Sequence, residues 1–515
     1  MTRPTYRLCA LAAAATTALA GGAAVGVAPA AAAPGDATNI ILLIGDGMGR
    51  SHITAARERF YGAAGRLNME KAPNVGQVST YASEKGSNLP ELVTDSASAA
   101  TAWSSGVKTY NAALGVDAYE RRVATLMEQA KKVGMRTGNV STAEITDATP
   151  AGMMSHALLR GCQGPTYSDA ACLPAGETAP LDKTLITPIA EQIARNGTAD
   201  VIFGGGLARF EPSDAKALRA QGYRVLGDFG DSSLPEGAQT AATQRVATRT
   251  NLNNVTGADR KVIGLFNRGN LTIERAKAAA PAGAAVKAEP TLAEMTTKAV
   301  SLLGNVSASS PSRGKGFFLQ VEGALIDKRS HANDAAQTLD EMKAFDDAVK
   351  VAYDFAAKDG NTLVIVTADH ECAGFNIIEP GTFTNAEATA PPVNVDSSNP
   401  ANNSTPARTS SGAKDPARSS GPVNGSGSGD AKNFAPATFR TADDPAGVKD
   451  GSTEASLWLT YLSGNHTGQD VTLFATGPRS GQFRNSYDNT DIYRKMFSAL
   501  RALDGSTPNR AVAPR

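Results

Sequence analysis

Residues 40–49, IILLIGDGMG, set the reading of this chain. An unbroken apolar run ending in glycine describes a strand buried on both faces. It delivers Asp46 between Gly45 and Gly47, and glycines let the backbone turn tightly around whatever the carboxylate binds. Alone, the motif is also an ordinary strand-to-helix turn, so its weight comes from repetition. The run Asn39 to Ile44 is followed by others at Arg136 to Ser141, Asp200 to Phe203, Lys261 to Phe266, Gly316 to Val321, Asn361 to Thr367 and Val471 to Ala475. They alternate with helical stretches, the signature of parallel strands joined by crossover helices. One such stretch carries Leu339, Met342, Phe345, Val349, Ala352 and Ala356 at steps of three and four, a single apolar stripe fit to cover a sheet. The expected class is α/β, doubly wound, with a central mostly parallel sheet between helices.

With 515 residues, 41% of them hydrophobic, the chain can bury a large core. Lys and Arg total 50, as do Asp and Glu, which gives no charged tail for nucleic acid or a membrane surface. Any anion must be attracted locally. Residues 1–33 read as an export signal: Arg3 and Arg7, an Ala/Leu-rich run, then small residues with cleavage somewhere between Ala28 and Ala33. No later stretch reaches the roughly 20 apolar residues of a membrane span. Residues 34–515 are expected to form a single domain, interrupted at about 379–450 by a Gly/Ser/Asn/Pro-rich insertion expected to be flexible. Cys9 falls in the signal without a lipoprotein context. In an oxidising compartment Cys162 and Cys172 are expected to pair. Cys372 is then left over, as a buried apolar residue or a metal ligand beside His370, with the first reading favoured.

Polar groups at the carboxyl ends of parallel strands face the crevice where α/β folds bind ligands. In FFLQVEGALIDKRSH (317–331), Glu322 ends a strand, and Asp327 and His331 follow at a spacing that lets both reach one metal. NTLVIVTADHE (361–371) releases Asp369 and His370, and GNHTG (464–468) places His466 before the last strand. The chain has 5 His; His52 and His156 lie in helical stretches and read as structural. Mixed imidazole and carboxylate ligands suit zinc, and an all-oxygen set around Asp46, Glu322 and a hydroxyl suits magnesium.

In LVTDSASAATAWSSG (92–106), Ser96 opens a small-residue helix, where positive potential favours an alkoxide and a bound phosphate. The plainer reading is that Asp95 or Ser96 caps the helix. ITDATPAGMMSHALLRGC (145–162) offers Arg160, one or more turns beyond Thr149 on a helix started by Pro150, able to hold two phosphate oxygens.

TDSAS with TAW, GDGMG, the DATP segment running to Arg and Cys, EGALIDK with its downstream His, TADH and HTG together resemble the bacterial alkaline phosphatases, from about Asn39 to Pro478. The resemblance implies that Asp327, His331 and His466 hold one zinc, and that Asp369, His370 and Ser96 surround a second. Asp46 would bridge the second zinc and one magnesium, completed by Thr149 and Glu322, with Asp147 acting through water. It implies that Arg160 grips the phosphoryl oxygens and that Lys328 reaches them through water, as in the enterobacterial type with Asp and Lys at these positions. Ser96 would attack the phosphorus of a phosphate monoester, pass through a phosphoserine and release inorganic phosphate, with an alkaline optimum. A homodimer is implied by the resemblance only. The insertion after TADH departs from the family pattern, as does Cys372. A phosphodiesterase of the same superfamily and an exported phosphate- or metal-binding protein remain as alternatives. A sulfatase would carry a C-x-P-x-R segment, whereas Ser96 is followed by Ala-Ser-Ala; a sugar-phosphate mutase would be separated by export from its metabolites.

Overall fold

A computed structural model describes residues 35–305, 312–380 and 437–509. Its frame is a ten-stranded sheet. In spatial order the strands are Asn485–Asp488, Asn74–Ser79, Val471–Thr476, Thr362–Thr367, Asn39–Gly45, Phe317–Gly323, Arg136–Glu144, Val201–Gly205, Lys261–Leu265 and Tyr223–Leu226. Every strand read from the sequence is present, the Arg136 strand running on to Glu144. The strand Asn39–Gly45 is buried at every position because sheet neighbours flank it and helices cover it. Three strands of this sheet escaped the sequence reading: Asn74–Ser79, Tyr223–Leu226 and Asn485–Asp488. They lie at or next to the sheet's edges, where one side meets water and polar residues break the apolar run.

Val471–Thr476 corrects the expectation for that run, since it alone lies antiparallel to both neighbours. A parallel return needs a crossover of a dozen or more residues. Only residues 468–470 separate this strand from the His466–Thr467 strand beside the crevice, so it must run back from that edge. The long helix Ala335–Asp359 buries Leu339, Met342, Phe345, Val349, Ala352 and Ala356, as their spacing predicts. Asp334 caps its first turn through the Gln337 N–H at 3.0 Å, and Gly360 ends it in the left-handed conformation.

The 379–450 span, expected to be a flexible insertion, contains regular structure. Ala437–Phe439, inside the 379–450 span, is a buried strand paired with Leu457–Thr460 in a small sheet that also contains Asn376–Ile378. Asp450 then binds the Arg59 guanidinium with both oxygens at 2.6 Å, tying residues 437–450 to the helix Arg50–Tyr61. Residues 1–33 and 381–436 lie outside the described residues. Among those described, no helix is long and apolar enough to cross a membrane. Cys162 and Cys172 are joined in a disulfide.

Two histidines hold the frame, as expected from the sequence. His52 is buried on the Arg50 helix, taking the Gly49 N–H at 3.2 Å and meeting Ser330 Oγ at 3.0 Å. His156 lies just past the helix Ala148–Met154 rather than within it, with Nδ1 2.7 Å from the Gly115 carbonyl and Nε2 3.0 Å from Glu128. Burial opposes ionisation of Glu128, but His156, the Thr125 N–H and Arg122 hold its carboxyl down at about 2 against an ordinary 4.5. A depressed native pKa stabilises the fold above the unfolded value and loses that stabilisation as pH falls through the native one. Glu128→Gln is therefore expected to lower stability at neutral pH by about 1.5–3 kcal/mol. Urea unfolding should show that deficit shrinking as pH drops from about 5 toward 2, because the wild-type carboxylate is then protonated as well.

Candidate active site

The register of three central strands builds the crevice. Ile44 pairs with Thr367 on one side and with Glu322 on the other, and Glu322 pairs with Ser141. Glu322, Asp46, Asp369 and His370 therefore emerge at one level. Gly47 has φ of 70°, and a Cβ there would lie 2.8 Å from Cys372 Cβ and 2.9 Å from Asp327 Oδ1. Only glycine allows the turn and the approach together.

Asp46, Asp369 and His370 form one buried group. His370 Nε2 stands 3.0 Å from Asp369 Oδ2 and 3.7 Å from Asp46 Oδ1. Ser96 Oγ completes it, 3.3 Å from His370 Nε2 and 3.5 Å from Asp46 Oδ1. Ser96 is the first residue of the helix Ser96–Ser105, and the cap is Asp95, which takes the Ser98 N–H at 2.9 Å. Capping therefore falls to the neighbour, and the Ser96 hydroxyl faces the crevice.

Asp327, His331 and His466 form the second group, with Asp327 and His331 on a short helix of their own, Leu325–His331. His331 Nδ1 lies 2.7 Å from the Gly464 carbonyl and His466 Nδ1 3.0 Å from the Thr94 carbonyl. A carbonyl can only accept, so each Nδ1 carries a proton, and in the neutral ring each Nε2 presents a lone pair. Those two Nε2 atoms are 3.1 Å apart, with Asp327 Oδ2 3.2 Å from that of His331. Two facing lone pairs beside a carboxylate call for a shared cation. Asp327 Oδ1, Asp369 Oδ2 and Thr149 Oγ1 are buried without a hydrogen-bond partner, which fits the same need. Cys372 is buried against this group, and burial pushes its thiol far up.

Glu322 and Thr149 are buried at the third corner, with Asp147 at the start of the helix Ala148–Met154. Asp147 binds Arg160 Nη2 and Lys328 Nζ, both at 2.8 Å. Burial opposes its charge, yet Lys328 and Arg160 hold its carboxyl well below the usual range. Repulsion falls elsewhere. Burial, then Asp369, Asp327 and Glu322, push Asp46 well up, while burial, against a Ser141 hydrogen bond and together with Asp147, lifts Glu322 to about 8.

Arg160 is not on the helix with Thr149, a correction to the sequence reading. That helix starts at Ala148 and stops at Met154, after which Ala157 bridges Leu114 and draws the chain away. Arg160 sits in the following turn, its backbone N–H bound to the Ala112 carbonyl at 2.6 Å. Asp95 Oδ2 holds Arg160 Nη1 at 3.1 Å, a second role for the cap residue that sequence reasoning missed. It also missed a buried relay in which Trp103 Nε1 donates to Gln320 Oε1 at 3.3 Å and Gln320 Nε2 donates to the Thr149 carbonyl at 2.8 Å. Gln320 and Ser141 were visible only as polar residues inside buried strands.

Buried negative charge that a cation must balance, set against a hydroxyl and a braced guanidinium, defines the class as a metal-dependent phosphoryl hydrolase. The alkaline phosphatase family model matches residues 37–502, and the chain belongs to that family. It is 43% identical to alkaline phosphatase of Escherichia coli K12 over 363 residues, 67% of this chain and 72% of that one. Alkaline phosphatase 3 of Bacillus subtilis is 31% identical over 485 residues, 90% of this chain and 89% of its own. Among solved structures, alkaline phosphatase from the Antarctic bacterium TAB5 matches with a TM-score of 0.58 and 26% identity, covering 91% of this chain and 98% of that one. A TAB5 variant with a histidine changed to aspartate and Mg bound in its M3 site matches with a TM-score of 0.57 and the same 26% identity, covering 91% of this chain and 99% of that one. The chain is an enzyme that hydrolyses phosphate monoesters.

Gly47→Ala is expected to cost about 1–3 kcal/mol in urea unfolding through backbone strain and to depress phosphate release strongly. Gly481→Ala, whose added carbon meets nothing within 4 Å, should change neither.

Proposed function

We propose that this chain is an exported phosphomonoesterase that works through a phosphoserine on Ser96, with two zinc ions and one magnesium. Asp327, His331 and His466 would hold the first zinc; Asp369, His370 and Ser96 would hold the second, with Asp46 shared between it and the magnesium. Thr149 and Glu322 would complete the magnesium set, with Asp147 acting through water. The unpartnered buried oxygens and facing lone pairs support these assignments, and the magnesium in the TAB5 variant supports the third. When bound, such ions act as Lewis acids that favour ionised serine and water and offset charge on the entering and leaving oxygens.

The chain's own groups supply position. Arg160, braced by Asp95 and Asp147, is kept protonated by those carboxylates in spite of burial, and its planar fork matches two phosphoryl oxygens. Lys328, tied to the other oxygen of Asp147, remains charged and reaches phosphate through water. The hydroxyl of Ser96 gives up its proton and its oxygen attacks phosphorus in line; the ester oxygen leaves and takes a proton to become the alcohol. Water then attacks the phosphoserine from the vacated side, and inorganic phosphate and Ser96 are restored. Residues 1–33 would direct export, leaving 34–515 as a single catalytic domain, and the Cys162–Cys172 disulfide supports an oxidising destination. The proposed assembly is a homodimer.

The placement of Ser96 Oγ beside His370 and Asp46, one residue after the Asp95 that braces Arg160, carries this reading. Phosphate release from p-nitrophenyl phosphate tests it. Ser96→Ala should lose roughly 10³-fold or more in kcat. Acid quenching of wild type during turnover should leave phosphate on Ser96, detectable by mass spectrometry; rapid turnover with no trapped phosphoserine at any pH would argue for direct attack by water.

His331 and His466 also give a pH test. The Asp327 hydrogen bond raises the first, and the same partner, outweighing burial, raises the second, each from an ordinary 6.5. A cation needs both neutral, so protons compete as pH falls through values somewhat above 6.5. Zinc affinity measured against a chromogenic chelator should weaken steeply below that range, and His331→Ala should flatten the slope.

A further inference from the structure

The set Asp327, His331 and His466 has a fourth neighbour without a role in the reaction. Cys372 lies directly opposite His466 in a two-residue antiparallel pair. Side chains so paired project from the same face. Its Sγ and one ligand atom from each of Asp327, His331 and His466 all lie within 4.8 Å of one another. Tetrahedral zinc, with a sulfur bond of ~2.3 Å and nitrogen or oxygen bonds of ~2.0–2.2 Å, needs donors ~3.3–3.6 Å apart; a larger, softer divalent cation forms longer bonds and takes donors set farther apart, within the 4.8 Å found here.

A second observation points the same way. Asp327 Oδ1 is buried with no hydrogen-bond partner, and its 3.5 Å approach to His466 Nε2 is too long to be a useful one. The thiol meanwhile makes only a weak contact, 3.8 Å from Sγ to the Asp327 carbonyl, which an incoming cation displaces at little cost. The backbone holds the sulfur where it is. The Cys372 N–H donates to the Gly47 carbonyl at 3.1 Å, and the bare Cα of Gly47 leaves room for the Cys372 side chain.

Resting on the zinc reading of this group, we infer that Cys372 is a sulfur donor on its buried side, which makes the centre a site for thiophilic divalent cations of the cadmium class. The sulfur–metal bond forms as the S–H proton passes to water, and no electron is transferred. Sulfur, two imidazoles and a carboxylate then close the tetrahedron. The position that phosphate would share is lost, so such a cation inhibits where zinc supports turnover.

The test uses the full chain, stripped of metal and loaded with cadmium alone. Wild type should show a sulfur-to-cadmium charge-transfer band in the ultraviolet, and X-ray absorption at the cadmium edge should find sulfur in the first shell. Cys372→Ser and Cys372→Ala should both lose the band and bind cadmium at least about 10-fold more weakly, while zinc affinity changes much less. Stoichiometric cadmium in wild type with no band and no sulfur neighbour would overturn the proposal and leave the zinc reading intact, as would a band that persists in Cys372→Ser. Failure of wild type to bind either cadmium or zinc would sink both.

Discussion

Mutual repulsion among buried carboxylates organises this molecule. Asp46, Glu322, Asp327 and Asp369 sit at the carboxyl edge of the sheet with almost no exposure to water, and the other three all raise the energy of charge on Asp46. A fold keeps such a cluster only where function demands it, because a buried charge without a counter-charge costs several kcal/mol. The surrounding residues divide that charge. His331 and His466 overcome burial to hold Asp327 ionised, His370 does the same for Asp369, and Asp46 and Glu322 take up the remaining strain. The crevice is thus built for cations, and the phosphoryl chemistry of the family follows from having them there.

Rigidity around the cluster comes from groups that never meet a substrate. Asp147 and Asp95 clamp Arg160 from two directions, so its fork is held in one orientation. Preorganised donors avoid reorganisation at the moment of reaction, where it would slow the step most. The Trp103–Gln320 relay ties the Ser96 helix to the carbonyl of Thr149, and carbonyls at Gly464 and Thr94 set the tautomers of two histidines. These contacts make the position of Ser96 and the orientation of both imidazoles depend on backbone far away in sequence.

Motif reading picked out residues that the fold brings together where they follow a strand end. Asp46, Glu322, Asp369 and His370 share that local grammar, and the register of parallel strands brings them to one level. It failed where the path of the chain is set by contacts. Arg160 lies beyond a helix that Ala157 and Leu114 bring to an end, and the 437–450 segment looks like low-complexity sequence until Ala437–Phe439 pairs with a partner strand. Asp95 read as a cap, and it is one, but one carboxylate oxygen was left for Arg160.

The apolar runs and the helical stripe at Leu339 to Ala356 fixed the layered α/β frame, because burial period is a local property of sequence. The residue types at strand ends likewise fixed the kind of chemistry. Which side chains meet was a matter of topology. Ser96 and His370 come together across 274 positions, and His331 and His466 across 135. Strand order decides such meetings, and the hydrogen bonds that orient the groups come from backbone carbonyls, which every residue possesses and no sequence pattern distinguishes.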